Sequence, residues 1–267
     1  MKIDRKIIIV TGGGGVLGGA ISAGLALQGA VLCLVGRNQE KLRLVQQQIK
    51  REGGDAFCYQ GDVLERDAMN TLSRMVQEDH GRIDVLINCA GGNIPGATIM
   101  PDQMLADIDS EALQSVLNLN ILGTVLPSIE VSKVMIKQKK GSIINISSMA
   151  ATLPLTRVLG YSAAKAAVDN FTKWMAVEMA TKHSKEIRVN AIAPGFFVAE
   201  QNRMLLLKDD GSFTKRGKTI ISQTPMKRFG EPEELVGVAH WLASDASRFV
   251  TGAIIPVDGG FSAFSGV

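Results

Sequence analysis

Tyr161 and Lys165 are the two residues of this chain whose types and spacing most directly suggest chemistry. Residues four apart lie one above the other on the same face of an α-helix, so a phenol and an ammonium group would be neighbours here. A phenol has a pKa near ~10 in water, and a nearby positive charge stabilises the phenolate and lowers that pKa. The pair is therefore a candidate general acid and base. A surface tyrosine beside a solvated lysine has the same spacing, so the surrounding elements must decide.

A glycine-rich stretch near the N terminus supplies a second chemical signal. The apolar run Ile7–Val10 predicts a buried strand, and the glycines that follow it lead into a helical stretch. Glycines 13, 15 and 18 fit the G-x-G-x-x-G spacing, in which backbone amides approach a pyrophosphate and the helix N terminus stabilises its charge. A glycine turn that binds nothing is the alternative. The residues of the turn predicted to contact a dinucleotide are Gly12, Gly14, Gly15, Val16, Leu17 and Gly18.

The end of the second apolar run indicates which dinucleotide is bound. Val31–Val35 is followed by Gly36, Arg37 and Asn38, and no carboxylate occurs before Glu40. An acidic residue at this place would bind the ribose 2′-hydroxyl of NAD, whereas an arginine accommodates the 2′-phosphate of NADP. The sequence therefore favours NADP(H), with NAD(H) possible. The alternative is that Arg37 faces water at the start of a helix.

Apolar runs alternate with helical stretches along the whole sequence. This alternation predicts an α/β fold: a single doubly wound (Rossmann) domain over residues 1–267, with a seven-stranded parallel sheet and helices on both faces. Ligands bind beyond the carboxyl ends of such strands. The predicted strands are residues 7–10, 31–35, 56–60, 83–88, 141–148, 187–193 and 253–257.

Residues 196–229 interrupt this alternation with a long polar segment. Long segments of this kind often cover active sites, so we predict a substrate lid inserted within the domain. A solvated surface excursion is the competing interpretation.

Composition excludes several classes of function. The chain of 267 residues has a net charge of +3 and no basic stripe, which argues against nucleic acid as a partner. The early apolar run Ile7–Val10 is too short for a signal peptide or a membrane span, so no membrane partner is expected. Three cysteines without metal-like spacing and three scattered histidines indicate reduced thiols, no metal site and a cytoplasmic location.

Seven motifs occur along the sequence in the order Thr11-Gly12 to Gly18, Asp62, Asn88-Cys89-Ala90-Gly91, Asn120, Ser148, Tyr161 to Lys165 and Pro194-Gly195. With these motifs in this order, the protein resembles the short-chain dehydrogenase/reductase family over its full length. The resemblance implies a homotetramer packed through the two long helices. It also implies a catalytic tetrad of Asn120, Ser148, Tyr161 and Lys165. The further cofactor-binding residues that it implies are Asp62, Val63, Asn88, Ala90, Gly91, Tyr161, Lys165, Pro194, Gly195, Phe197 and Val198.

The resemblance also implies a role for each member of the tetrad in carbonyl reduction. Tyr161 would donate the proton, and Ser148 would hydrogen-bond the carbonyl oxygen as charge develops on it. Lys165 would lower the Tyr161 pKa and hold the ribose hydroxyls. Asn120 would anchor a water molecule that relays protons from Lys165.

The sequence departs from the family's pattern at three positions. Val16 occupies the place of the middle glycine of the turn, which puts the pyrophosphate contact in question. Cys89 replaces the usual second asparagine before Ala-Gly, a mild change. Ala199 replaces a threonine after Pro-Gly, so one expected hydrogen bond to the nicotinamide half of the cofactor is in question.

A narrower resemblance, to the D-mannonate oxidoreductases (fructuronate reductases) of the same family, rests on segments around the expected substrate pocket. It implies the interconversion of D-fructuronate and D-mannonate. The segments are Gly91-Gly-Asn93, Ser147-Ser-Met-Ala150, Pro154-Leu-Thr-Arg157, Gly195-Phe-Phe197, Glu200-Gln-Asn-Arg203 and Gly259-Gly-Phe-Ser-Ala-Phe-Ser-Gly-Val267.

A uronate substrate requires a cation for its carboxylate, ideally a guanidinium, and amides for its hydroxyls. Arg157 and Arg203 are candidates for the first role, and surface or loop-packing roles are the alternatives. The predicted substrate-binding residues are Asn93, Ser148, Met149, Arg157, Gln201, Asn202 and Arg203.

Two other functions remain open at the level of sequence. The enzyme could reduce another carbonyl: a different sugar acid, a polyol-derived ketose or a 3-oxoacyl thioester. It could also be a non-catalytic dinucleotide sensor, although simple binding does not require the pair of Tyr161 and Lys165.

Overall fold

Seven parallel strands form one sheet in the computed structural model, which describes residues 1–153, 155–199 and 202–266. The strands are β1 (Ile7–Thr11), β2 (Val31–Gly36), β3 (Asp55–Gln60), β4 (Val85–Asn88), β5 (Gly141–Ile146), β6 (Ile187–Pro194) and β7 (Ile254–Val257). Their order across the sheet is β3-β2-β1-β4-β5-β6-β7. The predicted α/β fold is confirmed.

Helices cover both faces of the sheet. They are α1 (Val16–Ala26), α2 (Gln39–Arg51), α3 (Arg66–His80), α4 (Ser110–Gln138), α5 (Leu159–Lys182), α6 (Arg203–Leu206), α7 (Lys215–Gln223) and α8 (Val236–Ala243). Short 3-10 turns lie between them at Pro95–Ala97, Leu105–Asp107, Met149–Ala151, Pro232–Leu235, Asp245–Ser247 and Phe261–Ala263.

Alternate residues of each central strand enter two apolar clusters on opposite sides of the sheet. In β1, Ile8 and Val10 pack in the cluster that includes α1, α2 and α8. Ile7 and Ile9 pack in the cluster that includes α3, α4 and α5. Because both faces are buried, the strand is a continuous apolar run, as is typical of a parallel sheet between two helical layers.

The order of the strands creates a crevice at one edge. β1 pairs with β2 on one side and with β4 on the other, so the chain leaves β1 in one direction and returns to its opposite side. The loops after β1 and β4 therefore diverge, and ligands of doubly wound sheets bind at such a switch point.

Helix α4 is the longest apolar helix of the fold. It is long and apolar enough to span a membrane by length and composition, but 56% of that apolar window is buried inside the fold. Val131 and Met135 are fully buried in the cluster beneath the sheet. Packing of this kind is typical of a core helix, and it explains the apolar sequence.

The structure corrects several predicted boundaries; strand β4, for example, begins at Val85, not at residue 83. Strand β5 ends at Ile146, not at residue 148, because the Ser148 hydroxyl accepts a hydrogen bond from the Ala150 amide (3.1 Å) and starts a 3-10 turn. The predicted lid, residues 196–229, is partly helical and contains α6 and α7. The helix predicted from Glu231 begins as a 3-10 turn before α8.

Candidate active site

A cleft of about 650 Å³ opens at the switch point, beyond the carboxyl ends of β1, β2, β4 and β5. It contains the predicted glycine turn, the end of the second strand, the loop after β4, and both members of the Tyr161–Lys165 pair. Predicted cofactor-binding residues that line it are Gly12, Gly14, Gly15, Val16, Leu17, Gly18, Arg37, Asn38, Ala90, Gly91, Tyr161 and Lys165. Ala199, one of the three departures from the family pattern, also lines the cleft.

The glycine turn is shaped for close backbone approach. Gly12 has φ +66°, and a Cβ on Gly18 would lie 2.4 Å from the Gly12 carbonyl oxygen. No side chain caps the first amides of α1, so these N–H groups are available to a pyrophosphate. Val16 is the first residue of α1 and its side chain is 42% exposed, so the valine does not close the turn.

The end of β2 presents two cations to the cleft. Arg37 forms a long ion pair with Asp62, with 3.8 Å between Nη1 and Oδ2. Asn38 caps α2 by accepting a hydrogen bond from the Lys41 amide (3.0 Å). Lys41 also lines the cleft, and the sequence reasoning missed it. Lys41 could have been predicted, because it lies in the first helical turn after Arg37.

The loop after β4 is held against α4 by Asn120, which is fully buried. Its Nδ2 donates to the carbonyl oxygens of Gly92 (2.7 Å) and Val116 (2.8 Å), and its Oδ1 accepts from the Gly92 amide (3.0 Å). A Cβ on Gly91 would lie 2.7 Å from Asn120 Oδ1 and 3.3 Å from Lys165 Nζ. Gly91 therefore separates the two predicted catalytic side chains and leaves the space between them open.

Lys165 lies at the floor of the cleft and is only 4% exposed. Its Nζ donates to the Ile146 carbonyl oxygen (2.7 Å) and lies 5.6 Å from the centroid of the Tyr161 ring. Burial lowers the pKa of the Lys165 ammonium to about 8, although Cys89 and Asp169 act in the opposite direction. Lys165 is thus poised to exchange a proton near neutral pH.

Tyr161 is half-buried against the small apolar cluster of Ala97, Ala112 and Val116. Burial raises the pKa of the phenol, and a side-chain hydrogen bond with Ser148 offsets part of that rise. The predicted lowering by Lys165 is corrected here. Burial is the main cause of the raised pKa of the phenol, and the Lys165 ammonium donates to a backbone carbonyl rather than to the phenol. At neutral pH the phenol holds its proton, as a general acid requires.

Three residues that the sequence reasoning did not place in the catalytic machinery surround Lys165. Asp169 is buried one turn further along α5, and the Ser147 hydroxyl donates a hydrogen bond to it. Burial raises the pKa of the Cys89 thiol to about 11, and the nearby Lys165 lowers it in part. The i+4 spacing of Lys165 and Asp169 was a usable signal. The proximity of Cys89 follows only from the folded sheet.

Asn88 lies outside the cleft, although it was predicted to contact the cofactor. It is buried, and its Nδ2 donates to Ser128 Oγ (2.8 Å) and to Asn145 Oδ1 (2.9 Å). Its side chain therefore joins α4 to β4 and β5 and fixes the strand from which the cofactor loop departs.

Other predicted cofactor residues surround the cleft without lining it. Val63 packs in the core beneath α4, and Phe197 packs in the core against Gly230. Pro194 ends β6, and a Cβ on Gly195 would lie 2.7 Å from the Asp258 Cα. Val198 is half-buried in the segment that leads to Ala199.

Asn93 is the predicted substrate residue with the clearest capacity to bind a ligand. Its Nδ2 donates to Thr98 Oγ1 (2.7 Å), whereas its Oδ1 is buried without a hydrogen-bond partner among the described residues. Buried acceptors are normally paired, so this oxygen is suited to accept a hydroxyl hydrogen bond from a ligand.

The remaining predicted substrate residues lie in different environments. Met149 is buried, and Arg157 is half-buried at the entrance to α5. The Asn202 side chain bonds the backbone of Ala199 and Phe197, so its amide shapes the lid. Arg203 is exposed at the start of α6. Gln201 lies outside the described residues.

No group of three or more His, Cys, Asp or Glu side chains capable of holding a metal ion occurs in the part of the protein that the structure describes. The three cysteines are free thiols. The cytoplasmic location remains a prediction.

Comparison with known proteins shows what the chain resembles. The family model for short chain dehydrogenases matches residues 6–209. The uncharacterized oxidoreductase UxuB of Bacillus subtilis (strain 168) is 44% identical over 275 residues, covering 100% of this chain and 98% of that protein. A 3-oxoacyl-[acyl-carrier-protein] reductase of Thermotoga maritima is 34% identical over 260 residues, covering 97% and 99%.

A solved structure matches over the same extent. It is a candidate D-mannonate oxidoreductase from Haemophilus influenza with bound NAD. It is 43% identical, covers 100% of this chain and 98% of its own, and superposes with a TM-score of 0.90.

Tyr161→Phe removes the proton donor and keeps the ring that packs against Ala97 and Val116. We expect dinucleotide affinity to be unchanged and kcat to fall roughly 10²- to 10⁴-fold, the usual contribution of a general acid. Single-turnover reduction and fluorescence titration of NAD(P)H separate the two effects. Near-normal turnover of the variant would rule out Tyr161 as the acid.

The lowered pKa of Lys165 predicts a pH dependence. We expect kcat/KM for carbonyl reduction to fall as the pH rises through about 8, because the ammonium loses its proton there while the raised pKa of Tyr161 keeps the phenol protonated. In Lys165→Arg the guanidinium stays charged over this range, so the fall in kcat/KM of the remaining activity should occur at higher pH. A profile that is flat up to the ordinary lysine pKa of 10.5, or an unmoved fall in the variant, contradicts the assignment.

Proposed function

The chain belongs to the short-chain dehydrogenase/reductase family and is an NAD(P)-dependent oxidoreductase, and we propose that it catalyses D-fructuronate + NAD(P)H + H⁺ ⇌ D-mannonate + NAD(P)⁺. The observation that carries the substrate is the likeness to the candidate D-mannonate oxidoreductase, which covers the whole chain. It therefore includes the loop after β4, the segment before α5 and the lid, where a substrate would be recognised.

The residues of the cleft suit the proton-transfer half of carbonyl reduction. The bound cofactor supplies the hydride. Tyr161 holds its proton at neutral pH, and the Ser148 hydroxyl lies beside the phenol, so a carbonyl oxygen that replaced their mutual contact would accept a hydrogen bond from each hydroxyl. These donors stabilise the negative charge that develops on that oxygen, and Tyr161 then delivers its proton to it.

Lys165 and Asn120 act on the other side of the phenol. The buried ammonium stabilises the phenolate left after proton transfer, because an opposite charge is worth more in a poorly solvated site. Asn120 Oδ1 lies across the open space at Gly91 from Lys165, which suits the proposed water relay between them. The same space suits the ribose of the cofactor, whose hydroxyls Lys165 would bind.

Reduction of a 3-oxoacyl thioester is the second candidate function. The 34% identity to a 3-oxoacyl-[acyl-carrier-protein] reductase supports it, and the tetrad serves either carbonyl. A non-catalytic sensor is disfavoured, because binding alone gives no reason to bury Lys165 beside a Tyr161–Ser148 hydrogen bond.

NADP(H) is the preferred cofactor in this proposal, with NAD(H) as the alternative. Arg37 and Lys41 both line the cleft beyond β2, where a 2′-phosphate would lie. The ion pair with Asp62 reduces the charge that Arg37 offers, and the similar Haemophilus structure contains NAD.

A homotetramer packed through α4 and α5 is part of the proposal. The outer faces of these helices carry exposed apolar side chains: Trp174 is 60% exposed, Val177 63% and Leu122 40%. Large exposed apolar side chains on these two helices suit an interface between subunits.

Oxidation of NADH and NADPH in the presence of D-fructuronate, other keto sugars, keto sugar acids and a 3-oxoacyl thioester tests the proposed reaction. We expect the highest kcat/KM with D-fructuronate, and with D-mannonate in the reverse direction. Preference for the thioester would replace the proposed substrate. Tight cofactor binding without turnover of any carbonyl would favour the sensor.

Arg37→Gln tests the cofactor preference. We expect the KM for NADPH to rise about tenfold, the loss of one charge-assisted hydrogen bond, with little change for NADH. Arg43→Gln is the control. Arg43 is an exposed arginine on α2, the helix that follows Arg37, and it does not line the cleft. Equal effects of Arg37→Gln on both cofactors would contradict a role in binding the 2′-phosphate.

A further inference from the structure

Arg157 and Arg216 form a pair of like charges at the substrate side of the sheet. Both are half-buried, Arg157 in the segment that enters α5 and Arg216 in the first turn of α7. Burial lowers the pKa of the Arg216 guanidinium, and the positive charge of Arg157 lowers it further. The Arg216 guanidinium bonds Thr156, the residue before Arg157, and like charges placed near each other repel unless an anion lies between them or beside them.

Hydrogen bonds fix the Arg216 guanidinium and the Arg157 backbone in place. Arg216 Nη1 donates to Thr156 Oγ1 (3.0 Å), and Nη2 donates to the Thr156 carbonyl oxygen (3.3 Å). The Arg157 carbonyl oxygen accepts from the Ile99 amide (3.0 Å). The segments that follow β4, β5 and β6 therefore meet at the two arginines, which is where the substrate of a doubly wound sheet is bound.

The pair is close to the proton donor. Tyr161 follows Arg157 by four residues, so their Cα atoms are at most ~14 Å apart. The segment whose Ile99 amide bonds Arg157 also contributes Ala97 to the cluster that packs against the Tyr161 ring. A six-carbon acid with its carbonyl at Tyr161 could thus reach a guanidinium with its carboxylate.

Neither arginine has a carboxylate partner among the residues that the structure describes. The ion pairs there involve other cations, and the hydrogen bonds of the Arg216 guanidinium go to neutral oxygens of Thr156. α7 also has no acidic residue in its first turn, so its positive N-terminal end is not neutralised. A half-buried cation pair without a counter-ion is costly, and a bound anion would offset that cost.

The backbone of Arg157 is also in an unusual conformation. Arg157 has φ 76°, a left-handed conformation that residues with a side chain rarely adopt. The surrounding structure holds the residue in this conformation, and strain of this kind clusters at ligand-binding positions.

We propose that Arg157 and Arg216 together bind the carboxylate of the substrate, so that the enzyme selects carbonyl compounds that are also acids. This inference rests on the proposed function for the identity of the acid, but it names Arg216, which no sequence motif selects. Two guanidinium groups bind one carboxylate through charge-assisted hydrogen bonds. The exposed Arg203, the other cation predicted from sequence for this role, is not part of the site.

Arg157→Gln and Arg216→Gln test the site through the split between KM and kcat. In each variant we expect the KM for D-fructuronate to rise roughly ten- to hundredfold with kcat little changed, because a charge-assisted contact to a remote group is lost. With the neutral amide of the same acid, wild type and variants should have similar KM values. Arg216→Lys, which keeps the charge and loses the fork of donors, should lie in between.

Lys218→Gln is the matched control, because it removes one exposed positive charge from the same helix. We expect it to leave the KM for D-fructuronate unchanged. Thermal unfolding and NAD(P)H titration of each variant show whether the fold and the cofactor site are preserved. Arg203→Gln decides between Arg203 and Arg216. A larger rise in the KM for D-fructuronate in Arg203→Gln than in Arg216→Gln would overturn the assignment.

The outcomes separate the two proposals. Turnover of D-fructuronate with unchanged KM in both variants would overturn the arginine site and leave the proposed reaction standing. If the wild type reduces a different keto acid but not D-fructuronate, and the two arginine variants selectively lose that activity, the site is supported and the proposed substrate is wrong. Activity of the wild type on uncharged or thioester carbonyls alone would overturn both.

Discussion

The burial of one positive charge, that of Lys165, is the constraint on which the active site depends. An isolated buried ammonium is costly, and its pKa falls accordingly, to about 8. The carbonyl of Ile146, at the end of β5, and the carboxylate of Asp169 favour the charged form. Gly91 leaves space beside the ammonium, because a Cβ there would lie 3.3 Å from Lys165 Nζ and would collide with Asn120 Oδ1. Strand end, helix and glycine loop are therefore arranged around a single charge.

Much of the fold could be predicted because its physical causes are local. A strand buried on both faces must be a continuous apolar run, and a turn with Gly12 at positive φ and Gly18 against a carbonyl oxygen must use glycine. The spacing of Tyr161 and Lys165 correctly placed both in one cleft. The end of β5 was placed too late, since the sequence does not reveal that the Ser148 hydroxyl bonds the backbone.

The features that escaped prediction depend on contacts between distant segments. Helical spacing indicated that an ammonium lies near the Tyr161 phenol, but not that burial would raise the phenol's pKa. Asn202 was expected to face the substrate, and instead its amide bonds the backbone of the lid. Arg216 carries no motif of its own. Its importance follows from the fold, which brings α7 against Thr156 and Arg157.

Transfer of a labelled hydride tests the central claim most directly. With NAD(P)H in which deuterium replaces both hydrogens at C4 of the nicotinamide ring, and with D-fructuronate as the acceptor, we expect D-mannonate with one deuterium on the new carbinol carbon. NMR or mass spectrometry of the product detects it. Mannonate without deuterium, or consumption of the cofactor without formation of mannonate, would contradict direct hydride transfer to this substrate.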